Sequence, residues 1–149
     1  MKILQWNAEG MNPKMSELRV FLEDYKIDII LIQESKLMQG MNTPHIDGYT
    51  PKRADRKDAR YPGGGLITYV KDDVHFNLIG QCQRDNIETQ SIAVQTTNKK
   101  WITITNMYCR PDGELDLSWI PIKGNTIIAG DFKGLRNASV IPGKANITD

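Results

Sequence analysis

The chain has 149 residues, 40% of them hydrophobic and 25% charged, and its 19 basic and 18 acidic side chains leave a formal net charge of +1. That length suits one domain with a real core, and the composition suggests neither disorder nor a coiled coil. The near-neutral charge excludes a globally basic nucleic-acid binder while leaving local patches open, and no apolar run reaches the ~20 residues that a bilayer crossing requires.

Lys2-Ile3-Leu4-Gln5-Trp6 opens the chain as a short strand that runs into Asn7, with Glu9 two residues on. Asn12-Pro13 has the form of a helix start, with Asn as cap and Pro at the first helical position. Met15, Leu18, Phe21, Leu22 and Tyr25 then recur at helical spacing, which predicts a helix with one face on a sheet. A second apolar run from Ile27 to Gln33 ends at Glu34, so the opening reads β-α-β with a parallel strand pair.

Further on, Pro44, Gly48, Pro51 and the triplet Gly63-Gly64-Gly65 separate short strands at about residues 48–53 and 65–71. Residues 87–97 and 101–108 read as paired strands around Thr97-Asn98-Lys99-Lys100. The two-residue period places Ile102, Ile104, Asn106 and Tyr108 on one face. Pro111-Asp112-Gly113 makes a loop, residues 115–120 a short helical turn, and Thr126 to Gly130 a strand that runs into Asp131. Residues 134–149 lack periodicity and read as a loose tail. The expectation is a mixed α/β chain with more strand than helix. Cys82 and Cys109 form no CxxC spacing, which favours two reduced structural thiols in an intracellular protein.

Three apolar runs thus end in residues suited to metal or phosphate chemistry, and ligands gather beyond strand ends in open α/β sheets. Glu34 has the hard oxygens that Mg²⁺ prefers, and Asp131 can orient or activate an attacking water. Asn7 and Tyr108 can donate hydrogen bonds to phosphate oxygens or position a carboxylate. Taken singly, a polar residue at a strand end is more often a turn or cap residue; the conjunction of several is what points to a site.

The motifs around these residues carry a resemblance. Leu4-Gln5-Trp6-Asn7-Ala8-Glu9-Gly10, Ile32-Gln33-Glu34-Ser35, Gly63-Gly64-Gly65-Leu66-Ile67-Thr68-Tyr69-Val70, Asn106-Met107-Tyr108-Cys109-Arg110-Pro111 and Ile128-Ala129-Gly130-Asp131-Phe132 resemble, in order, the endonuclease/exonuclease/phosphatase superfamily. Within it, the resemblance is to the abasic-endonuclease-like domain of non-LTR (LINE-type) retrotransposons. It implies a four-layer α/β sandwich of two facing mixed sheets with outer helices. It also implies Mg²⁺- or Mn²⁺-dependent phosphodiester cleavage that nicks DNA, acting in the nucleus. Carried over by position, Glu34 is the metal ligand and Glu9 a carboxylate near the metal. Asn7 supports the metal and phosphate end, Tyr108 contacts the scissile phosphate, and Asp131 orients the water.

Two departures stand out. The family's Gly-Asp-Phe-Asn motif reads here Gly130-Asp131-Phe132-Lys133, so an ammonium replaces an amide beside the expected nucleophile. The family's later Ser-Asp-His motif has no counterpart, since His45 and His75 stand in unrelated contexts. The expectation is therefore an incomplete family domain over residues 1–133 with a divergent tail at 134–149, weakly active or inactive. Its uncovered sheet surface would be open to association.

The stretch from Lys52 to Arg60 carries five positive and two negative charges and reads either as a solvated loop or as a backbone-phosphate contact. Arg53, Arg56 and Lys57 are its candidate substrate-binding residues, together with Lys133. Two other readings compete with a DNA-nicking enzyme. One is a non-catalytic remnant that binds nucleic acid or metal weakly. The other is a phosphodiesterase of the same fold acting on another substrate.

Overall fold

The computed structural model describes residues 1–57, 63–111, 115–120 and 122–132. Among the described residues, eight strands form two four-stranded sheets. The first contains β1 (Ile3–Asn7), β2 (Ile29–Gln33), β3 (Tyr49–Ala54) and β4 (Leu66–Lys71) in the order β1-β2-β4-β3. The second contains β5 (Phe76–Arg84), β6 (Ile87–Gln95), β7 (Trp101–Cys109) and β8 (Thr126–Phe132) in sequence order. One helix, α1 (Met15–Asp24), joins β1 to β2.

β1 and β2 are parallel, as a β-α-β crossover requires, and β7 and β8 are parallel as well; the remaining neighbours are antiparallel. β2 is buried along its whole length, which explains its unbroken apolar sequence. Its Ile30 and Ile32 join Met11, Met15 and Leu18 beneath α1, whereas Ile29 and Leu31 meet Ile92, Val94 and Ile104 of the second sheet. The two sheets therefore face each other across an apolar layer. A third cluster, with Met107, Cys109 and Ile120, covers the opposite face of the second sheet. This is the expected sandwich.

Polar groups also join the sheets. Asn106, fully buried on β7, donates through Nδ2 to the carbonyls of Ile32 and Ile67 at 3.1 and 3.2 Å. Its Oδ1 accepts from Gln33 Nε2 at 2.7 Å, and Gln33 Oε1 accepts in turn from Gln5 Nε2 at 2.6 Å. Each amide satisfies the next, which makes a polar group tolerable in this interior.

Two local expectations are corrected, and one strand is added. Asn12 is not the cap of α1: it lies in a 3₁₀ turn, Asn12–Lys14, that precedes the helix, and no side chain caps either element. On α1, Met15 and Leu18 are buried, but Phe21 and Tyr25 stack on each other at the surface with ring centroids 4.5 Å apart. β5 is a strand that periodicity does not reveal, because its residues are mostly exposed and its order comes from pairing with β6. Residues 115–120 contain a hydrogen-bonded turn, Ile120 N–H to the Leu117 carbonyl at 3.1 Å. The expected tail at 134–149 lies outside the described residues.

Candidate active site

Parallel neighbours leave a sheet at the same edge, so β1 and β2 deliver their C-terminal residues side by side: Asn7 pairs with Gln33, and Glu34 follows. In the second sheet the register aligns Glu88 of β6, Tyr108 of β7 and Asp131 of β8 in one row. The two edges meet. Asn7 Nδ2 donates to Glu34 Oε1 at 2.9 Å and to Asp131 Oδ2 at 2.5 Å. The amide is oriented for this because its Oδ1 accepts the backbone N–H of Glu9 at 3.0 Å.

The backbone here is unusual. Glu9, Glu34 and Lys36 all have positive φ, at 47°, 50° and 53°. Non-glycine residues rarely occupy this left-handed region, and strain of this kind collects where a site demands a particular side-chain direction. Four backbone hydrogen bonds hold the turn: Gly10 N–H to Glu34 O at 2.8 Å, Met11 to Ser35 at 3.0 Å, Ser35 to Gly65 at 3.1 Å, and Lys36 to Gly64 at 2.9 Å. The glycine triplet thus packs directly on the segment that carries Glu34. A Cβ on Gly65 would lie 2.6 Å from Ser35 Oγ, and one on Gly64 would collide with the Arg56 guanidinium.

Tyr108 is buried, with the Glu34 carboxylate and the Arg56 guanidinium as its charged neighbours. Burial, and then the neighbouring Glu34 carboxylate, push its pKa up to about 12, against a smaller opposing pull from Arg56. Tyr108 is therefore a neutral hydrogen-bond donor at any ordinary pH. Lys36 Nζ lies 4.0 Å from Glu34 Oε2.

The structure brings Asn7, Glu34, Tyr108 and Asp131 together. Glu9 is exposed at the rim, and what it gives Asn7 is its backbone N–H. Arg56 reaches the cluster, with its guanidinium 5.6 Å from the centre of the Tyr108 ring. Arg53 is engaged elsewhere, forming a two-point bridge to Asp55 at 2.5 and 2.7 Å and donating to the carbonyls of Met38 and Met41. Lys57 is exposed on a cleft of about 300 Å³ that Asp55, Gln81, Gln83 and Glu88 also line. Lys133 lies outside the described residues. His45 and His75 are exposed and away from the cluster; His45 pairs with Asp47 at 2.8 Å.

Sequence reasoning missed Glu88. It is buried, is paired with Arg56, and accepts the Gly65 N–H at 2.7 Å. Its signal was an acidic residue on the inward period of a strand, in step with Ile92 and Val94.

Among the described residues no three Asp, Glu, His or Cys side chains form a ready ligand cluster. Mg²⁺ and Mn²⁺ do not need one, because one or two carboxylates suffice when water and phosphate oxygens complete the shell. Glu34 and Asp131 offer hard oxygens on either side of one amide, and that donor chemistry fits such an ion.

The model of the Endonuclease/Exonuclease/phosphatase family matches residues 4–132. The chain belongs to this family. Among its relatives, the RNA-directed DNA polymerase from mobile element jockey of Drosophila melanogaster is 33% identical over 142 residues, covering 93% of this chain and 15% of that protein. The probable RNA-directed DNA polymerase from transposon BS, of the same organism, is 27% identical over 78% of this chain and 13% of its own length. The chain thus spans a small part of these relatives. Solved structures share the family fold at 20% identity. The Xenopus laevis APE2 catalytic domain has a TM-score of 0.54 over 75% of this chain and 46% of its own. The AP endonuclease LMAP from Leishmania major has a TM-score of 0.55 over 75% of this chain and 41% of its own. No helix of the described residues is long and apolar enough to cross a membrane.

Proposed function

We propose that this chain is a divalent-metal-dependent endonuclease domain of retrotransposon type that nicks DNA. The supporting observation is the single Asn7 amide that hydrogen-bonds two carboxylates, Glu34 and Asp131, carried by different sheets. Family membership and the mobile-element relatives favour a nuclease over a phosphodiesterase for another substrate.

In this reading Glu34 holds Mg²⁺ or Mn²⁺, with Glu9 at the rim as a further carboxylate. Such an ion, when bound, would supply positive charge beside the phosphate. Asp131 accepts a proton from the attacking water and orients it. Asn7 keeps the two carboxylates apart and correctly turned. Tyr108, held neutral, donates to a non-bridging phosphate oxygen as charge builds there. Arg56 and Lys57 meet the DNA backbone by charge.

A second reading, binding without efficient turnover, has its own support: neither His45 nor His75 is near the cluster. Losing one electrostatic contact to the transition state commonly costs about 10²–10³ in rate. In this second reading the 149-residue chain is weakly active or inactive as a nuclease. Calorimetric titration with Mn²⁺ tests the metal half of this reading. Binding that is abolished in Glu34→Gln supports it, and binding unchanged in that variant removes Glu34 from the role.

A further inference from the structure

Glu88 is the buried carboxylate that the proposed chemistry leaves unused. Its two oxygens do different things. Oε2 accepts the Gly65 N–H at 2.7 Å, and Oε1 accepts from Arg56 Nε. Each contact leads to Glu34 by a separate path. From Gly65 the path is backbone: the carbonyls of Gly65 and Gly64 receive the N–H groups of Ser35 and Lys36, the two residues that follow Glu34. From Arg56 the path is side chain: the guanidinium lies over the Tyr108 ring, and the Tyr108 phenol has the Glu34 carboxylate as its neighbour. Glu34 itself sits at φ 50°, a conformation that costs energy and persists only where the surroundings hold it.

We infer that Glu88 is a positioning residue that fixes Glu34 in its left-handed conformation, by clamping the glycine triplet on one side and Arg56 over Tyr108 on the other. The inference rests on the reading of Glu34 as the metal-holding carboxylate. The geometry suits a carboxylate alone. Glutamine has one accepting oxygen, so Glu88→Gln sets an NH₂ group against either Arg56 or the Gly65 N–H, donor against donor. The glycines suit the same device: a side chain at Gly64 would occupy the place of the guanidinium, and one at Gly65 would press on Ser35. Removing such an outer partner commonly costs about 10- to 100-fold in metal affinity.

Amide hydrogen exchange on the metal-free protein, with Mn²⁺ affinity measured in parallel, tests this role. In Glu88→Gln the Ser35 and Lys36 amides are expected to exchange about tenfold faster, with the amides of the β6–β7 ladder unchanged. Mn²⁺ affinity falls by about tenfold or more. Unchanged exchange at Ser35 and Lys36 would overturn the inference. So would a uniform acceleration that includes the β6–β7 ladder, since it marks a residue that only stabilises the fold. If Glu88→Gln does not fold, Glu88→Asp is read in the same way, because it keeps the buried charge but is one methylene too short for Gly65. Selective acceleration together with Mn²⁺ binding that is indifferent to Glu34→Gln would support the clamp and sink the metal reading, so the two failures are distinguishable.

Discussion

Asn7 and Asp131 stand 124 positions apart in the chain and are joined by a 2.5 Å hydrogen bond between the edges of two different sheets. The same amide nitrogen reaches Glu34. An amide with two N–H groups is the smallest neutral device that can hold two carboxylates near each other without bringing in a competing positive charge.

Asn7→Ala removes that device and leaves Glu34 and Asp131 to repel across the gap. The expected result is Mn²⁺ affinity reduced by about 10- to 100-fold, with the far-ultraviolet circular dichroism unchanged. Calorimetric titration reads it, and an affinity equal to that of the wild type would show that Asn7 does not organise the site.

Gly130 precedes Asp131 at a point where β8 lies against the Met107 backbone of β7, and a Cβ there would run into the Met107 carbonyl. Gly130→Ala must push the strands apart and carry Asp131 with them. Overpacking of this kind costs about 1–3 kcal/mol. Urea unfolding should show a loss in that range together with weakened Mn²⁺ binding; a loss below about 0.5 kcal/mol would mean that β8 gives way freely.

The apolar strands and their polar ends were legible in the sequence for a simple reason. β2 is buried on both faces, so its sequence is continuously apolar, and the parallel pair it forms must release Asn7 and Glu34 at one edge. β5 was hidden because an exposed edge strand has no hydrophobic face to display. Glu88 was hidden for another reason: its burial depends on Arg56, 32 residues away, and local pattern cannot report a distant partner. Arg53 shows the converse, because a run of positive charge does not say which cation already has a carboxylate. Its partner, Asp55, is two residues along the same run.

The tyrosines carry a pH prediction. Burial, the leading cause for each, pushes Tyr69 and Tyr108 up to about 12, from an ordinary value of 10.0. A raised pKa means that folding favours the protonated phenol. The associated stability is complete below about pH 10 and is lost as pH rises toward 12. Phenolate absorbance should show Tyr69 and Tyr108 ionising last, with Tyr49 shifted upward by burial as well, and Tyr108→Phe should remove one of the late transitions. Five tyrosines ionising together near pH 10 in the folded protein would contradict the burial argument.

Asn106 joins the sheets through four polar contacts, to Gln33, Thr68 and the carbonyls of Ile32 and Ile67. Asn106→Ala takes away the shorter of the two acceptors of the buried Gln33 amide and leaves it the Leu31 carbonyl at 3.2 Å, which costs about 1–3 kcal/mol. Denaturant unfolding monitored by Trp fluorescence would read the loss, and a neutral result would show that the sheets are held by apolar contact alone.

The measurement that bears most directly on the central claim is nicking of supercoiled plasmid by the 149-residue chain in Mn²⁺. Wild type, Glu34→Gln, Asp131→Asn and the double variant are compared. The expected result is slow nicking that chelation abolishes. Each single substitution should cost about as much as both together, as groups acting in one unit do. Nicking that persists without metal, or that survives both substitutions, would contradict it.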